Sequence, residues 1–473
     1  MTESSAPPSP FFTAPPAGPA ARRLLLVSYS FPPDSSMGAL RWEKLLGYAA
    51  TRGWQGDVLM MDPATAAVRD DSRLAALPPG TRLWAVPRRT PWLRHVEQWV
   101  VRRRQAMRAS ADRPSRRASS AAPAWTGPIV EPGLRGRING LKRGYLARMH
   151  YHEWMLWARD AAALGAALAS ASRYDLVASS GPPQMAHEAA RMIARRTGLP
   201  FVMDLRDQFY AGDTQPPELR SHSWLALTKR YERRCVEAAR LVVTNTAAIE
   251  AIMRERYPSW ASRFVTVMNG ADADVHSTRP LAETFTVTHG GSLYNGRDPR
   301  PLLRGCKLAI DALGVGPDEF RIRIFGDDSY EGTPVSVIAH EEGVGAFTLT
   351  ERTVPRGEAI RRQEESAVLV VLPQYQVECI PGKLFEYVQL SSWVLALTEP
   401  GTATELLLRG TGADVVSPDA PEAIGRCLAA RYREFKAGRR PGPVNADGRF
   451  DRDAQAKLLF DAIDARLLGA ERR

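Results

Sequence analysis

The chain has 473 residues, of which 44% are hydrophobic and 24% charged, so it is long enough for two or three domains and too apolar for wholesale disorder. Its net charge of +11 is modest, but residues 82–148 alone carry sixteen Lys and Arg against three acids, a net of +13, which leaves −2 for the remainder. A basic coat over the whole surface is excluded, so we expect no nucleic-acid partner and one local basic patch.

The cysteines and the apolar runs indicate the compartment. Cys235, Cys306, Cys379 and Cys427 are widely separated, which fits neither a zinc site nor a redox pair and suggests a reducing environment. No apolar run approaches the roughly 18–20 residues that span a bilayer. Residues 1–21 are rich in Pro and Ser and are expected to form a disordered leader. We therefore expect a cytoplasmic protein, with any membrane contact peripheral on the inner face.

The first half alternates strands and helices. Residues 24–27 form an apolar strand, a Pro-containing loop follows, and a helix runs from Gly38 to residue 50 before a second strand at 57–61. This βαβ pattern is typical of a doubly wound fold. Further strands are predicted at 176–179, 201–205, 241–244 and 264–268, with helices at 150–172, 184–197, 224–239 and 247–256. Residues 88–149, rich in Arg, Pro, Ser and Gly, interrupt the alternation as an insertion.

A second alternating series follows a polar link. Strands are predicted at 285–289, 321–325, 368–372, 393–397 and 413–416, a glycine turn at 290–292, and helices at 299–313, 383–389, 404–409 and 452–468. The fold class is therefore α/β, with two Rossmann-like doubly wound domains facing across a cleft. We assign residues 22–276 to the N-terminal domain, 277–284 to the linker and 285–447 to the C-terminal domain, and expect the helix of residues 448–473 to pack back on the N-terminal domain. Ligands of such folds bind at the carboxyl ends of the strands.

The segment from Glu378 to Tyr387 could carry chemistry. It follows a buried strand, and its two acids, Glu378 and Glu386, lie eight residues apart. Pro381-Gly382 at a predicted helix start, with Lys383 beside them, suits an anion, and a carboxylate suits vicinal sugar hydroxyls. The same residue types also fit an ordinary capped helix with solvated acids, so residue types alone leave both interpretations open.

This segment resembles the E-x7-E motif of retaining, nucleotide-sugar-dependent glycosyltransferases of the GT-B fold, of the glycosyltransferase family 4 kind. Four other segments resemble that family in the same order. They are LLLVSYSFPPDSSMGALRWEKLLGYAATRGW, YDLVASSGPPQMAHEAARMIARRTGLPFVMDLRD, VTVMNGAD and THGGSLYNGRDPRPLL. The resemblance extends over residues 22–416, with 88–149 unmatched, and it implies a nucleotide-sugar donor bound by the C-terminal domain and an acceptor bound by the N-terminal domain.

The resemblance implies three groups of site residues. The donor-binding group is Gly290, Gly291, Ser292, Arg297, Pro381, Gly382, Lys383, Leu384 and Glu386. The acceptor-side loop is Pro33, Met37, Gly38 and Arg41. The catalytic group is Asp204, Arg206, Asp207 and Glu378. Asp204 or Asp207 could orient or deprotonate the acceptor hydroxyl, although an internal Asp–Arg–Asp salt bridge explains the same residues, and the leaving phosphate can itself act as base.

The sequence departs from the family pattern at two places. A single Gly38 stands where the family has paired glycines, and the Arg-then-Lys-Gly pattern that grips the donor pyrophosphate is not cleanly present. Arg297 stands near the expected place, with Lys383 as the second cation, although Arg297 could instead cap a surface helix. Because these cations can neutralise the leaving group, we expect no metal and no cofactor. Asp272 and Asp274 match a D-x-D metal pattern but are interpreted as turn acids. Of the two lone histidines, His289 is a candidate for the donor pocket and His187 for a structural role.

The basic insertion suggests a membrane surface. Residues 91–107 have helical spacing, with Trp92, Val96 and Trp99 on one face and Arg102–Arg104 around it. Such a helix suits anionic headgroups, whereas a solvated Arg-rich loop is the alternative. The predicted activity is hexosyl transfer in envelope or exopolysaccharide synthesis, to a glycan or lipid-linked acceptor. A soluble small-molecule acceptor, a nucleotide-sugar epimerase and a non-catalytic binding protein of this fold remain alternatives.

Overall fold

The computed structural model describes residues 8–18, 20–66, 68–89, 128–130, 132–209, 219–277, 280, 282–293, 296–326 and 329–468. The predicted helix of residues 91–107 lies outside this part of the chain. No helix within it is long and apolar enough to cross a bilayer.

The N-terminal domain is an eight-stranded sheet with helices on both faces. Its strands are β1 (Phe12–Thr13), β2 (Arg22–Ser28), β3 (Trp54–Met61), β4 (Arg82–Val86), β5 (Leu176–Gly181), β6 (Phe201–Leu205), β7 (Leu241–Thr244) and β8 (Phe264–Thr266). Its helices are α1 (Met37–Thr51), α2 (Gly133–Ala171), α3 (Met185–Thr197), α4 (His222–Ala238) and α5 (Ala247–Arg256). The strand order is β1-β4-β3-β2-β5-β6-β7-β8, parallel except for β1.

The C-terminal domain repeats the architecture with a six-stranded parallel sheet in the order β13-β10-β9-β14-β15-β16. Its strands are β9 (Phe285–Gly291), β10 (Phe320–Gly326), β11 (Ser329–Tyr330), β12 (Thr333–Pro334), β13 (Thr348–Arg352), β14 (Val368–Val371), β15 (Trp393–Leu397) and β16 (Asp414–Val416). Its helices are α6 (Arg300–Leu313), α7 (Val335–Glu341), α8 (Arg356–Glu364), α9 (Leu384–Tyr387), α10 (Ala403–Leu408) and α11 (Pro421–Lys436).

The last helix, α12 (Arg452–Ile463), belongs to the C-terminal segment but packs on the N-terminal sheet. Leu459, Phe460 and Ile463 are buried in one apolar cluster with Trp42 of α1 and Trp54 of β3. The prediction of a C-terminal helix that returns to the N-terminal domain is confirmed. This helix ties the two domains together beside the interdomain link.

Several predicted bounds are wrong. The disordered leader is contradicted over residues 8–18, because β1 pairs with β4 and Trp84 Nε1 donates to the Pro8 carbonyl. Helix α2 begins at Gly133, seventeen residues before the predicted start, so the last seventeen residues of the presumed insertion are helical. The one-turn α9 replaces the longer helix predicted at 383–389. The elements from β11 to α8 were not predicted.

Candidate functional site

A cavity of about 530 Å³ separates the carboxyl ends of the two sheets. Both domains and α12 contribute to its wall. Its lining includes the predicted residues Gly38, Arg41, Arg206, Asp207, Gly290, Gly291, Ser292, Arg297, Pro381, Gly382 and Lys383. The structure thus brings together eleven of the seventeen predicted site residues at the edge of both sheets where ligands of doubly wound folds bind.

The C-terminal wall is cationic and closely packed. Gly291 ends β9 with a φ of +149°, and a Cβ atom there would lie 2.8 Å from Lys383 Nζ. Lys383 therefore lies directly against the end of β9, where only glycine leaves room for its ammonium group. Arg297 lines the same wall. Two cations at the end of one strand form a surface suited to an anionic ligand.

His289 lies in this wall just before the glycines, as predicted. It is 6% exposed, its Nδ1 lies 2.9 Å from the Val370 carbonyl, and its buried Nε2 has no hydrogen-bond partner among the residues that the structure describes. Burial lowers the pKa of the imidazole to about 3, and the charges of Lys383 and Arg297 act in the same direction. The ring is therefore neutral, and with Nδ1–H donating to Val370, Nε2 is an acceptor in the cavity wall.

The N-terminal wall is built around Arg206. Its guanidinium donates to the carbonyls of Gly38, Gly181 and Pro182 at 3.0, 3.2 and 2.6 Å, which fixes the start of α1 against the end of β5. A Cβ atom on Gly38 would lie 3.2 Å from Arg206 Nη1, so glycine at this position allows the guanidinium to approach the backbone closely. Arg206 acts here by positioning the two loops.

Asp207 lies next to Arg206 with its side chain exposed in the cleft. Surrounding protein raises the pKa of its carboxyl by desolvation, which Arg206 partly opposes. A carboxyl with a raised pKa in a cleft is suited to accept or share a proton. Of the two predicted acceptor-side acids, Asp207 is the one that the geometry supports.

Asp204, predicted as a catalytic residue, is buried beneath the cavity, where its contacts favour a structural role. It is 1% exposed, and its two oxygens accept hydrogen bonds from Arg41, from Trp42 Nε1 at 2.8 Å and from Ser180 Oγ at 3.0 Å. Arg41 also donates to the Val267 carbonyl at 2.9 Å. The Arg41–Asp204 pair thus fastens α1 and β6 to the end of β8, beneath the cavity floor.

Glu378 is held from the opposite domain. Its carboxylate accepts a hydrogen bond from Gln208 Nε2, and its carbonyl accepts one from Thr246 Oγ1 at 3.0 Å. The Gln208 amide is in turn oriented by Arg256, whose Nη2 donates to Gln208 Oε1 at 2.8 Å, and Arg256 is paired with the fully buried Glu232. This chain of contacts fixes Glu378 at the rim of the cavity, and the sequence offered no signal for Gln208 or Arg256.

Glu386 lies beside the cavity and faces a different cation. Its carboxylate is 3.5 Å from Arg356 Nε, and Arg356 Nη2 is 3.2 Å from Asp272. Burial raises the pKa of Glu386, against the opposing effects of Arg356 and Lys383. Asp272 also binds Arg452 at the start of α12. The interpretation of Asp272 as a solvated turn acid needs correction, because Asp272 is 6% exposed and joins the end of the N-terminal domain to α8 and α12.

Two other predicted residues do not line the cavity as expected. Leu384 is fully buried in an apolar cluster, and Pro33 is buried with its carbonyl accepting from Asp70 N at 2.8 Å, so neither residue lines the cavity. The side chain of Met37 lies outside the described part of the structure. Pro381 has no N–H, and α9 is a single turn, so this corner offers an anion cationic side chains rather than a helix terminus.

The cavity wall also contains polar residues that sequence reasoning missed. They are Ser30, Ser36, Asn245, Asn269 and Arg452. The sequence did mark Asn269, because it directly follows the strand predicted at 264–268, at the strand end where ligands of such folds bind. Arg452 had none, because it reaches the site only through the return of α12. Among the described residues, no three His, Cys, Asp or Glu side chains cluster in a way that could hold a metal ion.

Comparison with known proteins agrees with this architecture. Residues 105–270 match the profile of the glycosyl transferase 4-like domain, which is about a third of the chain. A search of curated protein sequences found no match.

Solved structures match over almost the whole chain. Sucrose-phosphate synthase from Thermosynechococcus elongatus is 12% identical, with 95% of this chain and 100% of that chain covered and a TM-score of 0.57. An α,α-trehalose-phosphate synthase (UDP-forming) from Burkholderia xenovorans is 13% identical, with 93% and 99% covered and a TM-score of 0.54. The lipopolysaccharide outer core galactosyltransferase WaaB is 11% identical, with 94% and 100% covered and a TM-score of 0.53. The chain therefore has the α/β GT-B fold and carries a glycosyltransferase 4-like domain in its N-terminal half.

Proposed function

We propose that the protein is a retaining glycosyltransferase that moves a sugar from a nucleotide-sugar donor to an acceptor hydroxyl. The observation that carries this proposal is the cavity between the two sheets, with Arg297 and Lys383 on the C-terminal wall and Asp207 on the N-terminal wall. Its volume of about 530 Å³ is in the range of small-molecule sites. Cations on one side and a carboxyl on the other suit a diphosphate facing an acceptor hydroxyl.

The donor diphosphate would bind against the end of β9. Lys383 Nζ and the Arg297 guanidinium line that corner, and Gly291 leaves the backbone open to close approach. Glu386 would accept hydrogen bonds from the ribose hydroxyls, with Arg356 moving aside or sharing its carboxylate. Glu378, held by Gln208, would accept from a hydroxyl of the transferred sugar.

The reaction would exchange one bond at the anomeric carbon. The bond between that carbon and the β-phosphate oxygen breaks, and the electron pair leaves with the nucleoside diphosphate. The acceptor oxygen bonds to the same face of the sugar, and its proton passes to the departing phosphate, with Asp207 near enough to orient the hydroxyl. Arg297 and Lys383 stabilise the charge that develops on the phosphate, which is the main catalytic contribution expected of such preorganised cations.

The acceptor is proposed to be a glycan or lipid-linked molecule of envelope or exopolysaccharide synthesis, made at the inner face of the membrane. The name of the WaaB neighbour is consistent with this, whereas those of the two synthases are consistent with a soluble sugar acceptor. The excess of Lys and Arg over residues 82–148, in the domain that faces the acceptor, favours the membrane-linked acceptor.

A nucleotide panel tests the proposal directly. Nucleoside diphosphates and radiolabelled nucleotide sugars are incubated with the wild-type chain, and melting temperature, release of free sugar and transfer to added acceptors are recorded. We expect one nucleoside diphosphate to raise the melting temperature and its sugar to be hydrolysed or transferred. Lys383→Met should abolish the shift, whereas Lys307→Met, which removes a surface lysine paired with Asp311, should retain it. Equal responses of the two variants would show that the site has been misplaced.

A further inference from the structure

The first three turns of α2 expose an apolar stripe. Leu134, Ile138, Leu141 and Tyr145 are 75%, 56%, 76% and 41% exposed. Their spacing of four, three and four residues places them within about 60° of one another on a helix with 3.6 residues per turn. The opposite side of the same turns, with Gly136, Gly144 and Ala147, is buried. A fold that buries one side of a helix usually leaves the other side polar, so this stripe requires an explanation.

Cations border the stripe on both sides. Arg135 and Lys142 lie along one edge of it and Arg137 and Arg148 along the other, as the same helical spacing dictates. All four are exposed, and residues 133–148 contain no Asp or Glu. An apolar strip between two rows of cations matches the interface of an anionic bilayer, where the apolar side chains enter the acyl boundary and the cations contact the headgroups.

The charge around the stripe indicates which kind of surface could bind it. Residues 90–127, which precede α2, contain eight Arg against two acids. The composition of these residues therefore offers little negative charge to complement the four cations that border the stripe. A protein partner for the stripe would have to be strongly acidic as well as apolar, whereas an anionic lipid surface provides both properties at once.

The stripe also lies at the end of the domain that faces the cleft. Trp157 of α2 donates to the carbonyl of Val86, the last residue of β4, so this point of the helix is level with the carboxyl ends of the strands. Residues after Trp157, such as Ala161 and Leu168, pack on the sheet. The stripe precedes Trp157 by 12–23 residues, or about 18–35 Å of helix. It therefore projects beyond the edge at which the cavity opens.

We propose that this face of α2 docks the protein on anionic membrane lipid, with the cleft turned toward the bilayer. The apolar stripe sets the depth of insertion, and the flanking cations select acidic headgroups. This surface is independent of residues 91–107. The proposal that α2 contacts lipid does not depend on the proposed function. Only its consequence, that the acceptor hydroxyl reaches the cleft from the membrane, rests on that function.

Vesicle flotation of the full chain, without any nucleotide, tests the proposal. Wild-type protein should float with vesicles of 30% phosphatidylglycerol in phosphatidylcholine, remain in the soluble fraction with phosphatidylcholine alone, and dissociate in 0.5 M NaCl because salt screens the cations. The triple substitution L134S/I138S/L141S should reduce binding at least tenfold. The matched control V337S/L406S/L458S, at exposed apolar residues of other helices, should bind as the wild type does. The single substitution I138W should strengthen binding.

Two outcomes would overturn the proposal. If the α2 triple variant floats as well as the wild type, this face does not contact lipid. If the triple variant instead turns a concentration-dependent dimer into a monomer in light scattering, and wild-type protein does not float, the face is an interface between two copies. Because the flotation assay contains no nucleotide, a negative flotation result would not affect the result of the nucleotide panel. A negative nucleotide panel would likewise not affect the flotation result.

Discussion

Replacing Asp204 by Asn is the sharpest test of whether this residue supports the fold or the chemistry. The substitution keeps the shape of the side chain but removes the charge that faces Arg41, whose side chain is 3% exposed. Removing one partner of a buried, hydrogen-bonded ion pair costs roughly 3–5 kcal/mol, because the remaining charge is left uncompensated in a region of low dielectric. Trp42 and Ser180 would retain a neutral acceptor, so their hydrogen bonds add little to this loss.

The expected effect is large enough to measure by thermal unfolding. At about 2–4 °C per kcal/mol for a domain of this size, Asp204→Asn should lower the melting temperature of the N-terminal domain by roughly 6–20 °C. The matched control is Asp207→Asn, three residues away and exposed in the cleft. Because the surrounding protein already disfavours the charged form of Asp207 and raises its pKa, loss of that charge should leave the melting temperature within a few degrees of the wild type and reduce transfer instead.

The opposite pattern would refute this reasoning. If Asp204→Asn unfolds at the wild-type temperature but loses transfer, Asp204 acts on the substrate, and the Arg41 contact is secondary. If Asp207→Asn retains full transfer, no acid of this loop acts on the acceptor, and the leaving phosphate alone remains as the base.

Three further predictions concern the donor corner and pH. Glu386→Gln should weaken nucleoside diphosphate binding by about 1.5–3 kcal/mol, because the ribose loses a charged acceptor. Titration calorimetry measures this change, and an unchanged affinity would show that the ribose does not bind at Glu386. Transfer should persist in excess chelator, since Arg297 and Lys383 neutralise the leaving group; loss that added Mg²⁺ or Mn²⁺ restores would contradict this. The pKa of His289 is about 3 in the folded chain and near 6.5 in the unfolded chain, so below pH 6.5 the unfolded state binds a proton that the folded state does not. The contribution of His289 to the free energy of unfolding is therefore complete above pH 6.5 and is lost as the pH falls toward 3. Between pH 7.5 and 5 this loss is about 2 kcal/mol, and His289→Gln should abolish that part of the pH dependence in urea unfolding.

Alternating apolar runs and glycine stops were sufficient to predict the two-domain architecture. Runs such as residues 24–27 and 368–372 are buried on both faces of a parallel sheet, and this environment requires uninterrupted apolar residues. The elements from β11 to α8 were missed for a physical reason. Strand β13 is only partly buried, and α8 has few buried side chains, so neither carries a strong apolar pattern.

The candidate site was predicted in part, because local motifs show which residue types are present but not which of them face one another. Gly291 and Lys383 are 92 positions apart, and their proximity follows from the sheet order. The distinction between Asp204 and Asp207 depends on where Arg41 points from α1, which no spacing within the Asp-x-Arg-Asp segment reveals. Gln208 and Arg452 gave no signal because each acts through a contact across the domain boundary.

The two glutamates of the E-x7-E segment are each bound to groups that also join the domains. Gln208 of the N-terminal domain donates to Glu378. Arg356 bridges Glu386 to Asp272, which lies at the end of the N-terminal domain and also binds Arg452 of α12. A nucleotide-sugar donor whose hydroxyls donate hydrogen bonds to either glutamate must therefore share or displace an interdomain contact. If donor binding strengthens or weakens these contacts, thermodynamic linkage requires that it also shifts the equilibrium between the closed and open arrangements of the domains. Donor affinity and domain closure should consequently be coupled through Gln208 and Arg356, residues outside the motif that identified the site.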